Sequence, residues 1–430
     1  MKAIGIDIGT TSISGVLFDA DTGCVLKSFT ENSNAFIRVN NDFEKIQSVD
    51  RIISLATEIL DKLIEKSVAS IGITGQMHGI LYFDADGKAV SPLYTWQDKR
   101  GDLPYKDTTY AKFLGSFSGY GNVTDFYNRK NALRPKEAVG YATIHDYFAM
   151  RLCGLTSPVM HASDAASLGC YDLLKNSFSY DCGIETVSDY KVLGDYKGIP
   201  VSIAVGDNQA SVFSTLTDED DLLLNVGTGS QVSLVSDTPI FAENIETRPY
   251  FEGKYLVVGS ALCGGRAYSL LKTFYKEILE YITPVSDESI YKMMNEMLEK
   301  EATASLTVDT RFSGTRSDPM RTGSITGLTT QNFTPSALTK GVLFGMAREL
   351  FEMYHLMGCE RKELVGSGNG IRKNPHLLRI CEETFRMQMK IPMHLEEASI
   401  GAAMISLVSV GAFGSAEKVQ QLIRYERGNG

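Results

Sequence analysis

Ile6-Asp7-Ile8-Gly9-Thr10-Thr11-Ser12, close to the start of the chain, has a counterpart in Leu224-Asn225-Val226-Gly227-Thr228-Gly229-Ser230. In each copy an aliphatic, β-branched run enters Gly-Thr and turns on small residues. It then returns as a second apolar run, Val16-Leu17-Phe18 in the first and Val232-Ser233-Leu234-Val235 in the second. Strand-forming residues on both sides of a short small-residue turn predict a β-hairpin. Residues 7 and 225 are 218 apart in a chain of 430, so one hairpin opens each half. A repeat at half the chain length predicts two similar domains. The acidic run Thr217-Asp218-Glu219-Asp220-Asp221 has no apolar periodicity and reads as a solvated link, which gives domains 1–216 and 217–430.

Strands and helices alternate within each half, which predicts α/β layering. Val49, Ile52, Ile53, Ala56, Ile59, Leu60, Leu63 and Ile64 recur at helical spacing, and 68–74 reads as a strand ending at Gly75. Val342, Leu343, Met346, Leu350 and Tyr354 mark a helix in the second half; Leu364-Val365 then enters a glycine-rich turn. A helix is expected from Pro375 with Asn374 as its cap, since proline suits the first turn and the asparagine side chain accepts free N–H groups. A last helix, about 397–410, carries Ala398, Gly401, Ala402 and Ala403, small enough for its backbone to approach a neighbour closely.

Composition narrows the function classes. Hydrophobic residues are 43% and charged residues 22%, which suits a folded globular chain and not a disordered one. A net charge of −10 argues against a broad grip on nucleic acid or anionic lipid. No apolar run is long enough to cross a membrane, and Asp7 interrupts the first one, so neither a span nor a signal peptide is expected. Seven scattered cysteines without a Cys-x-x-Cys pair, and six histidines without close ligand spacing, predict free buried thiols in a cytoplasmic protein and no transition-metal catalysis.

Several motifs sit where strands end. Asp7 precedes a turn of small residues that offers backbone N–H groups and hydroxyls to a polyphosphate, with the carboxylate placed for Mg²⁺. The second copy has Asn225 at the matching position, so the halves differ in role. Val365-Gly366-Ser367-Gly368-Asn369-Gly370 fits neither a P-loop nor Gly-x-Gly-x-x-Gly; a tight structural turn and a ligand site are both open readings. Val205-Gly206-Asp207-Asn208 offers either a helix N-cap or a general base for a substrate hydroxyl. Thr74-Gly75-Gln76-Met77-His78-Gly79 and Thr95-Trp96-Gln97-Asp98-Lys99-Arg100 combine fixed polar groups with an aromatic surface, as a sugar site requires. Taken alone, His78 reads first as a satisfied loop histidine, and Arg100 equally as a solvated charge.

Together these six ordered motifs resemble the FGGY carbohydrate kinases of the actin, heat-shock 70 and sugar kinase superfamily, over nearly the whole chain. Gln76-Met77-His78-Gly79 is similar to the form in ketose kinases such as xylulokinases. Thr143-Ile144-His145-Asp146-Tyr147, Cys153-Gly154-Leu155, Asp164-Ala165-Ala166-Ser167 and 365–368 look closer to sedoheptulokinases. The resemblance implies two ribonuclease H-like domains around a central cleft, the first binding sugar and the second nucleotide. It implies ATP-dependent phosphorylation of a ketose on its terminal hydroxyl, sedoheptulose before xylulose or a polyol. Asp207 would be the base, and Asp7 and Asp207 would lie at Mg²⁺. Met77, His78, Trp96, Asp98 and Asn208 would face the sugar. Thr10, Thr11, Gly227, Thr228, Gly264, Gly265, Gly368 and Asn369 would hold ATP. Ketose and ATP are the expected partners, with a homodimer left open. A chaperone-like or filament ATPase on the same fold is the rival reading, disfavoured by the two sugar-type clusters.

Overall fold

A computed structural model describes residues 1–179, 182–299, 306–318 and 320–427. Two compact units emerge: the first comprises Met1–Thr217, Arg248–Tyr255 and His394–Arg424, and the second Asp218–Thr247, Leu256–Met393 and Tyr425–Gly430.

The first unit is built on the sheet order Val192–Tyr196, Ile199–Ser202, Val68–Gly75, Lys2–Ile8, Ser12–Asp19, Cys24–Asn32. Lys2–Ile8 pairs antiparallel with Ser12–Asp19, closing on Ile8 opposite Ile13, and parallel with Val68–Gly75. Val205–Gly206 joins Val68–Gly75 in parallel at its end. The second unit repeats this plan. Asp221–Val226 and Ser230–Ser236 form the antiparallel hairpin, closing on Val226 opposite Ser230, and Glu363–Ser367 and Met389–Pro392 follow in parallel. Each sheet then ends in an antiparallel edge strand, Val192–Tyr196 and Tyr425–Arg427. Both hairpin connections, 9–11 and 227–229, are three residues long. The repeat seen in the sequence is therefore a repeat of topology.

Alternation of apolar residues explains the layering. Helix Val49–Leu63 buries Val49, Ile52, Ala56, Ile59, Leu60 and Leu63, the face its spacing predicts, and Ser48 caps it by accepting from Arg51 N. Helix Pro335–Met357 buries Val342, Leu343, Met346, Leu350 and Tyr354. Helix Pro375–Phe385 begins as the sequence predicts, with Asn374 Oδ1 accepting from Leu377 N at 3.0 Å.

Helix Glu397–Ser409 lies late in the sequence yet packs in the first unit, against the strands Lys2–Ile8 and Val68–Gly75 and the helix Asp207–Phe213. Its small residues are what allow this. Added Cβ atoms on Gly5, Gly72 and Gly401 would run into the backbone of Ser399, Ala402 and Ala210 respectively. Two buried serine pairs stitch the layer: Ser14–Ser399 at 2.7 Å and Ser70–Ser406 at 2.8 Å. Among the described residues no two of the seven cysteines form a disulfide; Cys263 and Cys381 are buried, and the other five are only half-buried. Among the described residues no helix is long and apolar enough to cross a membrane.

Candidate active site

Three parallel strands of the first unit end side by side. Asp7 pairs with Thr74, Ile8 with Gly75, and Gly206 with Gly75, so Asp7, Gln76 and Asp207 emerge from neighbouring carboxyl ends. Thr74 Oγ1 donates to Val205 O at 2.7 Å and Gln76 N to Ile8 O at 3.0 Å, fixing the three ends to one another. The carboxyl edge of an open α/β sheet is where ligands bind, because helix starts and unpaired loop groups collect there.

Asp207 is the first residue of helix Asp207–Phe213; Gly206 is the capping residue and makes no side-chain cap bond. Its carboxylate is therefore not used as an N-cap. It accepts from Asn208 Nδ2 at 3.1 Å. Burial pushes the carboxyl above its ordinary 3.8, while Arg248, His145 and the Asn208 amide pull it back. Asp7 is pushed up to about 7, first by burial and then by the charges of Asp207 and Glu396, with His145 opposing. Asp7 Oδ1 is buried and has no hydrogen-bond partner among the described residues. An orphaned carboxylate oxygen beside a second carboxylate is a donor set that fits a hard cation such as Mg²⁺.

Met77 is buried against Gly206, whose Cβ position lies 2.5 Å from Met77 Cε, and Arg248 Nη1 approaches Met77 Sδ at 3.8 Å. His78 adopts a left-handed backbone (φ 73°), uncommon for a side chain other than glycine and a mark of functional constraint. Its Nδ1 lies 2.8 Å from Ser167 O, a group that only accepts, so this nitrogen carries the proton. The ring also stacks on Tyr120 at 4.3 Å. Trp96 is 47% exposed, and its indole N–H donates to Thr10 Oγ1 at 2.9 Å. Thr10 Oγ1 reaches Gln76 Oε1 (3.2 Å), Gln76 Nε2 donates to Gln47 Oε1 (2.9 Å), and Gln47 Nε2 donates to Thr10 O (2.6 Å). This ring ties the first phosphate-type turn to the residues expected at the sugar, while Thr11 stays exposed beside it.

Asp98, expected to face the sugar, has both oxygens engaged by protein. Oδ1 accepts from Arg100 Nε (2.7 Å) and Arg100 N (3.1 Å), and Oδ2 from Lys45 N (3.0 Å) and Arg100 Nη2 (3.1 Å). Arg100 is not a solvated charge: it is 2% exposed, sits over the Tyr94 ring at 4.3 Å and donates to Asn128 Oδ1 at 2.6 Å. A buried ion pair satisfied on every side orders the loop, and Asp98 is placed as its anchor.

The second unit gathers the remaining residues. Gly227 and Thr228 are exposed at the turn, and Gly265 N and Arg266 N donate to Gly227 O and Thr228 O at 3.0 Å each. The 17-residue helix Gly264–Glu280 thus begins on the turn, and a side chain at Gly264 would strike Ser230. Two first-turn N–H groups of the helix are thus spent on the carbonyls of the Gly-Thr turn, which fixes the turn to the helix start. The glycine-rich segment after Glu363–Ser367 is a short helix, Gly368–Arg372, instead of an open turn. Gly368 has φ +78°, and its Cβ position lies 2.6 Å from Val226 O, so only glycine fits. Asn369 is exposed next to it.

Models of the FGGY family of carbohydrate kinases match the chain twice, the N-terminal domain over residues 2–104 and the C-terminal domain over 222–410. The chain belongs to the FGGY family of carbohydrate kinases. It is a phosphotransferase, and enzymes of this family use ATP. Mouse sedoheptulokinase is 28% identical, over 94% of this chain and 97% of its own length. A glycerol kinase of Saccharolobus islandicus is 23% identical over 99% of this chain and 91% of its own. Xylulose kinase from Lactobacillus acidophilus shares the fold with a TM-score of 0.84 at 17% identity, covering 99% of this chain and 93% of that one. Plasmodium falciparum glycerol kinase with ADP gives 0.80 at 18%, with the same coverage.

Two groups at this FGGY kinase site escape a reading by motif. Arg248 is buried beside Asp207 and Met77 although it follows both by many residues; it sits in the polar strand Ile245–Pro249 (Ile-Glu-Thr-Arg-Pro), where nothing marks it out from an ordinary surface charge. His145, Asp146 and Asp164 form a buried cluster from two helices. Their spacing, 18 residues between Asp146 and Asp164, carries no ligand pattern.

Proposed function

We propose that this kinase transfers the terminal phosphoryl group of ATP to the terminal hydroxyl of a ketose, sedoheptulose first, yielding sedoheptulose 7-phosphate. The observation that carries the reading is the convergence of Asp7, Gln76-Met77-His78 and Asp207 at three adjacent strand ends. The near full-length similarity to mouse sedoheptulokinase supports the choice of sugar.

Phosphoryl transfer requires alignment and charge neutralisation more than covalent chemistry from the protein. Asp207 takes the proton of the sugar hydroxyl. Burial raises its affinity for protons above that of a solvated aspartate, which makes it the stronger base, and Arg248 opposes the rise. Met77, His78, Trp96 and Asn208 orient the sugar. His78 is fixed by Ser167 and Tyr120, so little side-chain freedom is lost on binding. Gly227, Thr228, Gly264, Gly265, Gly368 and Asn369 bind the nucleotide, and Thr10 and Thr11 are read as phosphate ligands. Mg²⁺ would be held at Asp7, with Asp207 beside it, and would offset phosphate charge.

A panel of ketoses and polyols, read as kcat/KM with the product mapped by phosphorus NMR, tests this. Sedoheptulose should lead. A polyol preferred over every ketose contradicts the proposal, and xylulose in first place moves the name to the second choice. ATP hydrolysis that ignores every sugar would favour the chaperone-like rival.

A further inference from the structure

The proposed chemistry leaves one buried polar cluster of the first unit unused. Helix Ile144–Leu152 brings His145 and Asp146, and helix Ala162–Ser167 brings Asp164. A nitrogen or oxygen able to hold a metal ion, one from each residue, lies within 4.8 Å of the other two. His145 and Asp164 are 0% exposed and Asp146 is 1% exposed, so bulk water does not reach them.

Hydrogen bonding leaves much of this cluster unsatisfied. Thr143 Oγ1 donates to Asp146 Oδ2 at 2.6 Å and stands 3.4 Å from His145 Nε2. Asp146 Oδ1, His145 Nδ1 and both oxygens of Asp164 have no hydrogen-bond partner among the described residues. Asp164 Oδ1 lies 3.0 Å from His145 Nε2, and even there no hydrogen bond forms. Buried carboxylates left without donors are costly, and proteins hold them by pairing or by coordinating a metal. The free oxygens, two from Asp164 and one from Asp146, make four donors together with an imidazole nitrogen, as many as a closed structural zinc site takes. Imidazole and carboxylate bind Zn²⁺ at about 2.0–2.2 Å, so atoms sharing the ion stand about 3–4.4 Å apart, a spread this cluster accommodates. Two carboxylates and a neutral imidazole around a divalent ion also sum to no net charge, which suits a site shut off from water.

We propose that His145, Asp146 and Asp164 form a structural site for one divalent transition-metal ion, Zn²⁺ or Mn²⁺, in addition to the magnesium position at Asp7. The ion clamps helix Ile144–Leu152 to helix Ala162–Ser167. The second of these also ends in Ser167, whose Oγ donates to Asp164 O at 2.8 Å and accepts from His78 N at 3.2 Å. The clamp therefore steadies the segment that carries His78. It does not depend on which sugar is phosphorylated.

The test measures metal in the full-length enzyme, produced with Zn²⁺ and Mn²⁺ both supplied and purified in magnesium buffer without chelator. Elemental mass spectrometry should find about one Zn²⁺ or Mn²⁺ per chain in the parent and in Asp7→Asn. Asp164→Asn and His145→Gln, each checked for folding by circular dichroism, should hold less than about 0.1. X-ray absorption of the bound ion should show only nitrogen and oxygen neighbours, one of them an imidazole. A parent with less than about 0.1 ion per chain overturns the proposal whatever the variants do. A folded Asp164→Asn or His145→Gln that keeps the parental metal overturns it too, as does a sulfur neighbour in the absorption spectrum. An ion lost in Asp7→Asn and kept in Asp164→Asn would assign it to the magnesium position instead.

Discussion

Gly401→Ala measures how tightly the helix that carries Asp207 is held. In an open helix this change stabilises by about 1 kcal/mol, because alanine restricts the unfolded chain. Here the new methyl carbon falls 2.5 Å from the carbonyl carbon of Ala210 and 2.9 Å from its Cα. Unstrained carbon–carbon contact needs about 3.5 Å, and the Ala210 carbonyl oxygen is nearer still, so helix Asp207–Phe213 and helix Glu397–Ser409 must separate by at least about 1 Å. Both obstacles are backbone, so no rotamer change relieves them. Overpacking costs about 1–3 kcal/mol, and a clash of backbone on backbone stands at the top of that range, so after the helix gain the net loss is about 2 kcal/mol. For a unit of this size that lowers Tm by about 4–8 °C. Ala210 lies within one turn of Asp207, so the carboxylate moves with its helix, and a 1 Å misplacement costs about 10²-fold in kcat. Differential scanning calorimetry with steady-state kinetics reads both effects. A variant as stable and as active as the parent would refute the close-packing argument and the coupling of this interface to the base.

Further outcomes follow from the charges. Asp7→Asn should stabilise the magnesium-free protein near neutral pH. Below about pH 4 the carboxyl is protonated in folded and unfolded chains alike; between 3.8 and about 7 only the unfolded chain ionises, so parental stability falls relative to the variant across that window. The full difference is about 4 kcal/mol, and water reaching this partly exposed residue reduces it to about 1–2 kcal/mol. Thermal melts in chelator from pH 4 to 8 check this, and a gap that does not change with pH contradicts it. Arg248→Met removes the cation that lowers the Asp207 carboxyl, so the acid limb of kcat/KM should move to higher pH; an unmoved limb denies the contact its role. The chain has a single tryptophan, Trp96, hydrogen-bonded to Thr10, so ketose alone should change its emission, and a flat titration would separate it from the sugar.

How much was legible depends on how local each signal was. The hairpins, the cap at Asn374 and the small-residue helix follow from residues adjacent in sequence, where turn, capping and packing preferences act directly. The membership of that helix in the first unit does not, because its partners Gly5 and Gly72 stand hundreds of residues earlier and any small-residue surface would have suited it. Asp98 shows the same limit at the site: a carboxylate in a polar cluster reads as a ligand until Arg100 is seen to fold back on it. Arg248 and His145 stand among other polar residues, Glu246-Thr247 and Asp146, and carry no spacing that names a partner; only the fold brings Met77 and Asp164 to them.

The decisive measurement is phosphoryl transfer to ketose by Asp207→Ala, made beside ATP binding by calorimetry. The proposed chemistry requires a loss of about 10²–10⁴-fold in turnover with nucleotide affinity retained. Turnover within a few-fold of the parent would show that another group accepts the hydroxyl proton.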